Sequence, residues 1–245
     1  MSTTTIRHAA TAFAATAALL LTGCQGGGGD KAPAASAAPA DNGVAALTAE
    51  QILERARTAM QGAASFRVKG EMTEDGQAVA LDFKTKGKDL SGSIGMGAAT
   101  AQLLVVGGRQ YMKPNEQFWA MMDDPQKAKA VTTLMADRWA KIPAGEESFS
   151  QLFNAANVNE MLKNSGKVSK GPQKDIDGVP AIGLLDEGPD GGTLYIATVG
   201  EPYPLRIEAQ DAGAGQISFS EFGAAFPELT APAEGEVVDL GELTK

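Results

Sequence analysis

The chain has 245 residues, 43% of them hydrophobic and 21% charged, with 30 acidic against 21 basic side chains and a net charge of −9. An acidic chain repels phosphate backbones, which argues against nucleic acid as a partner. It holds a single histidine, His8, and a single cysteine, Cys24, the two residue types on which most nucleophilic and zinc chemistry depends.

The first residues read as three zones. Residues 1–8 are polar with one positive charge at Arg7, and residues 9–21 (AATAFAATAALLL) are apolar and uncharged. Thirteen residues make a helix of about 20 Å, too short for a bilayer core and suited to a secretory signal core. Leu21-Thr22-Gly23-Cys24 then has the form of a lipobox: small residues admit a peptidase, and the Cys24 thiolate accepts a diacylglycerol. The expectation is a signal peptide over 1–23 and a mature lipoprotein held on the outer face of the cell membrane by its acyl chains. Residues 24–46, rich in Gly, Ala, Pro and Ser, should be a disordered tether, because they cannot bury enough surface to fold.

Cleavage at Cys24 would remove His8 and leave a net charge of −10. With the cysteine acylated, Ser-His-Asp and Cys-His catalysis are excluded, as are Cys/His metal sites. The remaining candidates are weak. Gly95-Met96-Gly97 lacks the third glycine of a phosphate loop. Asp175-Ile176-Asp177-Gly178 lacks the other ligands of a calcium loop. The pairs Glu74-Asp75, Asp123-Asp124, Glu146-Glu147 and Asp186-Glu187 sit beside turn formers, where solvated charge explains them. The expectation is no enzyme, no cofactor and no metal.

Residues 47–245 suffice for one domain. Thr48 with Gln51 forms a capping box ahead of a stripe of Ile52, Leu53, Ala56, Ala59, Met60 and Ala63, which predicts a helix. Phe66, Val68, Gly70 and Met72 alternate with polar residues, as do Val79, Leu81 and Phe83 beyond a 74–77 turn, which predicts a hairpin with one buried face. Strands follow over 90–96, 103–106 and 110–113. Asp124 and Pro125 open a helix with Ala128, Val131, Leu134 and Met135 on one side. Residues 138–142 read as a short strand. Ser148 with Gln151 starts a helical stretch holding Phe149, Leu152 and Phe153, and Asn157 with Glu160 caps another at Val158, Met161 and Leu162. Strands over 167–169, 179–185, 193–197, 205–209 and 217–222 complete the chain. The architecture expected is α+β, a long antiparallel sheet with helices covering one face.

Several segments resemble the actinobacterial lipoprotein family of the LppX/LprG type, related in fold to lipoprotein carriers of the LolA kind. The resemblance spans about residues 45–242 and rests on order and spacing. It is carried by the Cys24 lipobox, the helix before Ser65-Phe66-Arg67-Val68-Lys69-Gly70, Gln110-Tyr111-Met112-Lys113 with Trp119, and Arg138-Trp139-Ala140-Lys141-Ile142. Ile176 to Val179, Thr193 to Ala197, Pro204 to Glu208, Ile217 to Phe222 and Ala231-Pro232 are also similar. It implies a half-barrel sheet wrapped around helices, an apolar cavity for acyl chains of a lipid or glycolipid, and no catalytic residue; the protein is expected to be a monomer.

Candidate cavity residues are Leu103, Leu104, Val105 and Val106, apolar on both strand faces, with Leu81 and Phe83 of the hairpin. Lys84, Lys86 and Lys88 lie on the face opposite Leu81 and Phe83, where a solvated surface or attraction of anionic head groups would each account for them. Eight methionines follow Met1 and suit either an irregular core or an adaptable apolar site. Two functions remain open: a lipid or lipoglycan carrier, and a surface lipoprotein whose closed domain serves as a protein-interaction or sensor module. The size of the interior cavity separates them.

Overall fold

The structure, a computed structural model, describes residues 40–243 apart from 75, 123, 144, 147, 148, 156, 190 and 212. The signal peptide, Cys24 and the tether as far as residue 39 lie outside the described residues, as do Ser148 of the predicted cap and the Asp75, Asp123 and Glu147 carboxylates.

Helix α1 (Ala49–Gly62) opens with the predicted capping box: the Gln51 N–H donates to Thr48 Oγ1 at 3.3 Å, and the Thr48 N–H to Gln51 Oε1 at 3.1 Å. A long meander follows, of β1 (Ser65–Glu74), β2 (Gln77–Lys86), β3 (Asp89–Met96), β4 (Ala99–Val106) and β5 (Arg109–Pro114). Then come α2 (Glu116–Met122), α3 (Pro125–Met135), β6 (Trp139–Lys141), α4 (Ser150–Asn154) and α5 (Val158–Met161). A second meander contains β7 (Val168–Ile176), β8 (Val179–Asp186), β9 (Gly192–Ala197), β10 (Pro204–Ala209) and β11 (Gly215–Ser220). The chain ends with β12 (Val237–Asp239) and α6 (Leu240–Leu243).

All twelve strands form one open sheet in the order β12-β6-β5-β4-β3-β2-β1-β11-β10-β9-β8-β7. The two meanders join where β1 pairs with β11, Val68 opposite Phe219 and Gly70 opposite Ile217. Every pairing is antiparallel except β12 with β6, where Val237 lies beside Trp139. Such an α+β sheet, open at both edges and helix-covered on one face, is the architecture expected from the sequence.

Strand alternation assigns the faces. The inner face carries Phe66, Val68, Leu81, Phe83, Leu90, Ile94, Ala101 and Leu103, which pack with Ile217 and Phe219 and against the helices. The outer face carries Arg67, Lys69, Asp82, Lys84, Ser91, Ser93 and Gln102. Gly92, opposite Phe83, lets two strands close tightly: a Cβ there would lie 2.1 Å from the Asp82 carbonyl oxygen and 2.7 Å from the Phe83 Cα.

Three expectations need correction. Residues 41–46, assigned to the tether, belong to the folded unit. Asp41 bridges to Val199, the Asn42 side chain donates to the Ala197 carbonyl at 3.0 Å, and Val44 is buried in a 3-10 turn (Val44–Ala46) against α1. One valine in an Ala/Gly-rich stretch has no periodicity, so only its partners reveal it. The 167–169 strand extends to Ile176 as an edge strand whose exposed Lys, Gln and Asp hide the alternation. Helix α2 was not anticipated.

Candidate functional site

The inner face holds two apolar sites of different kinds. Beneath α1, Ile52, Leu53 and Ala56 pack on Val168, Ile182, Leu184 and Ile196. The space left between α1, α5, β1 and β7 to β10 is about 100 Å³, lined by Leu53, Met72, Met161, Leu162 and Leu194 among others. That is well below the roughly 300–1,000 Å³ of typical ligand pockets.

The second site is a groove of about 400 Å³ between α2, α3, the 143–149 segment and α6. It is lined by Trp119, Val131, Leu134, Met135, Pro143, Phe149 and Leu240, with Glu146 as the one charged residue among those lining it. Short-range chemistry places each wall. Asn115 caps α2: its Oδ1 accepts from the Phe118 N–H at 2.9 Å and from the Thr100 N–H at 3.1 Å, while its Nδ2 donates to the Ala98 carbonyl at 2.8 Å. One side chain thus starts the helix and ties it to the β3–β4 turn. Asp124 caps α3 by accepting from the Gln126 N–H at 2.8 Å, with Pro125 in the first turn as predicted. At the other end Arg138 donates to the carbonyls of Met135 and Leu134 at 3.1 and 3.0 Å, and its charge complements the helix dipole.

Trp119 carries an unusual feature. Its indole Nε1 is buried and makes no hydrogen bond. On α2 and α3, Met121, Met122 and Leu134 are 54%, 48% and 53% exposed, three of the four large hydrophobics exposed among the described residues, and Leu134 lines the groove. Large apolar side chains gathered at one place on a surface mark a contact with something apolar.

The six residues proposed from the sequence divide between the faces. Phe83 and Leu103 are fully buried on the inner face, with Leu81 and Val105 packed against the same cluster, whose groove-side members include Trp119, Val131, Phe149 and Leu240. Leu81, Phe83, Leu103 and Val105 thus lie in the core on which the groove is built, though none is among its lining residues. Leu104 and Val106 point to the outer face. Leu104 is buried there, beside Trp139, Ala231 and Pro232, along a mainly polar groove between the sheet and the C-terminal segment. A cover on each side explains why residues 103–106 are apolar on both faces. The sequence reading missed Trp119, Val131, Pro143, Phe149 and Leu240 as a group. The Asn115 cap with Glu116 behind it was the available signal for α2.

Several charged groups elsewhere have structural partners. Arg67 donates to both carboxylate oxygens of Asp82, at 2.7 and 2.6 Å, and to Glu221 at 2.8 Å. The hydrogen bonds from Arg67 hold the Asp82 carboxyl below its ordinary value, against some desolvation. Asp186 accepts from the N–H groups of Ser165, Gly166 and Gly188 and clasps two loops. Asp177, from the partial calcium-loop pattern, pairs with Arg206 at 2.8 Å. Lys84 pairs with Glu228 on the outer face. Among the described residues no helix is long and apolar enough to cross a membrane.

No protein-family model and no curated protein matches the chain. Solved structures similar to it include LprF from Mycobacterium bovis, at 15% identity and a TM-score of 0.46 over 76% of this chain and 97% of that one. The Mycobacterium tuberculosis lipoprotein LppX is 17% identical with a TM-score of 0.42, over 70% and 93% of the two chains. The MucA/MucB complex of Pseudomonas aeruginosa gives 15%, 0.38, 76% and 62% respectively.

Proposed function

We propose that this protein is a lipid-anchored extracytoplasmic lipoprotein that binds the acyl part of a membrane lipid or glycolipid at the α2–α3 groove, without catalysing a reaction. The observation that carries this reading is the groove itself. It has ligand-scale volume, an almost wholly apolar wall and an exposed Leu134 in that wall. Leu81, Phe83, Leu103 and Val105 would form the rigid layer beneath, so a bound chain displaces α2 and α3 and leaves the sheet in place. Cys24 would carry the diacylglyceryl anchor, and residues 24–40 would tether the domain, with a mean reach of about 20–25 Å.

The test is native mass spectrometry of protein extracted from its own membrane, beside titration with a fluorescent acyl lipid. A bound lipid removed by Val131→Trp supports the reading. A ligand-free protein that takes up no lipid overturns it and favours the interaction module, for which the small space beneath α1 already speaks. For the anchor, Cys24→Ala should abolish palmitate labelling and detergent partitioning, since the chain has no other thiol. Equal labelling of the variant would refute it.

A further inference from the structure

The outer face of the sheet carries a groove of its own, about 600 Å³, beneath the C-terminal segment. Buried Leu104 and half-buried Trp139 contribute its apolar surface. Its polar groups fall into two sets. The charged set is largely matched within the protein: Arg67 pairs with Asp82 and Lys84 with Glu228, which leaves Glu236 as the lining carboxylate without a cation among the described residues. The uncharged set is unmatched. The side chains of Ser91, Ser93, Gln102 and Thr230 make no hydrogen bond to the described residues, although each can donate and accept. Strand register puts Ser93 opposite Gln102 and Ser91 opposite Leu104, so free hydroxyls, an amide and apolar surface stand side by side.

We propose that this groove binds a neutral saccharide, with a sugar ring packed on Trp139 and Leu104 and its hydroxyls bonded to Ser91, Ser93, Gln102 and Thr230. A pyranose has C–H groups on its ring faces and hydroxyls around its edge that both donate and accept, which is the pattern of the walls. An anion gains little, because Arg67 and Lys84 are already paired and Glu236 would repel it. A peptide cannot add as a strand, because β3 and β4 are interior strands with neighbours on both sides. An acyl chain would cover the polar walls without replacing their bonds to water. Arg67, Asp82, Ser93 and Gln102 also line an adjoining hollow of about 960 Å³, where Thr100, Gln216, Ser218 and Ser220 are likewise uncharged and unmatched. The two hollows share a wall, so the ligand is a linear oligosaccharide and not a single sugar. This site lies on the face opposite the α2–α3 groove and does not depend on the lipid reading.

The experiment titrates neutral tetrasaccharides (cellotetraose, mannotetraose and chitotetraose) and the anionic tetragalacturonate into the purified protein. In Trp119→Phe the remaining tryptophan is Trp139, and its emission should shift as a saccharide binds. At least one neutral probe should bind with a Kd of about 1 mM or tighter, and tetragalacturonate at least about tenfold more weakly. Gln102→Ala and Thr230→Ala, both at exposed positions, should keep the wild-type melting curve and weaken that neutral probe by about three- to tenfold each, the size of one hydrogen bond. Failure of every neutral probe to bind overturns the proposal. So does binding of tetragalacturonate as tight as that of the neutral probes, or neutral binding that both alanine variants leave unchanged. Each of these results leaves the lipid reading standing.

Discussion

The two halves of the inner face solve the same covering problem with different results. Over β7 to β9, one 14-residue helix with a complete capping box presents a continuous stripe, and the space left is about 100 Å³. Over β2 to β6, α2 and α3 have only 7 and 11 residues, and the groove that they form with the 143–149 segment and α6 reaches about 400 Å³. A long regular stripe meshes with a sheet along its whole length. Short helices joined by turns pack well only at their centres, so gaps open at the joints. The sheet beneath is filled in both halves, with Ile196 and Phe83 each fully buried. The difference lies in the covering layer, which makes that layer the place for an exchangeable ligand.

The comparison can be tested at several strengths. The largest effect belongs to the shared core. Phe83→Ala should destabilise by about 3–5 kcal/mol and Ile52→Ala by about 2–5 kcal/mol in denaturant melts. A much smaller loss at Phe83 would mean that the core under the groove is loose as well.

Tryptophans in β4 sharpen the division between faces. Leu103→Trp should cost about 1–3 kcal/mol or more, because its site is filled and faces the helices. Val106→Trp, half-buried on the outer face, should change melting by less than about 1 kcal/mol and leave lipid uptake intact. If Val106→Trp abolished uptake, the site would lie on the outer face instead.

Groove-wall substitutions should separate binding from stability. Val131→Trp should change stability by less than about 1 kcal/mol while removing lipid uptake, because the ring enters open space. A loss of stability as large as that of Leu103→Trp would show that the groove closes in solution.

The smallest effect concerns the outer face. Asp82 has a folded pKa below its ordinary 3.8, so its pair with Arg67 stabilises fully above that value. That stabilisation disappears as pH falls through the lower folded value. Asp82→Asn should therefore cost about 1 kcal/mol at neutral pH, and the gap to wild type should close in acid. A gap that widens on acidification would contradict the assignment.

Much of the fold was legible because its signals are local. The Thr48–Gln51 box, the alternation of Phe66, Val68 and Met72, the Asp124-Pro125 start of α3 and the double-sided apolar run at 103–106 each depend on neighbours within a few residues. From these the sequence alone determined the α+β class, the order of the elements other than α2, β12 and α6, the inner position of Leu81 and Phe83, and the outer position of Lys84. Only tertiary structure decided the rest. Val44 has no stripe until α1 and β9 surround it, and β12 is three residues that pair in parallel with β6 nearly a hundred positions earlier. Leu103 and Leu104 look alike in sequence, and which of them meets the helices depends on register across β3 and β5. The groove is the extreme case. Trp119, Val131, Phe149 and Leu240 come from four segments, and what unites them is a gap between helix surfaces, which no local pattern of residues encodes.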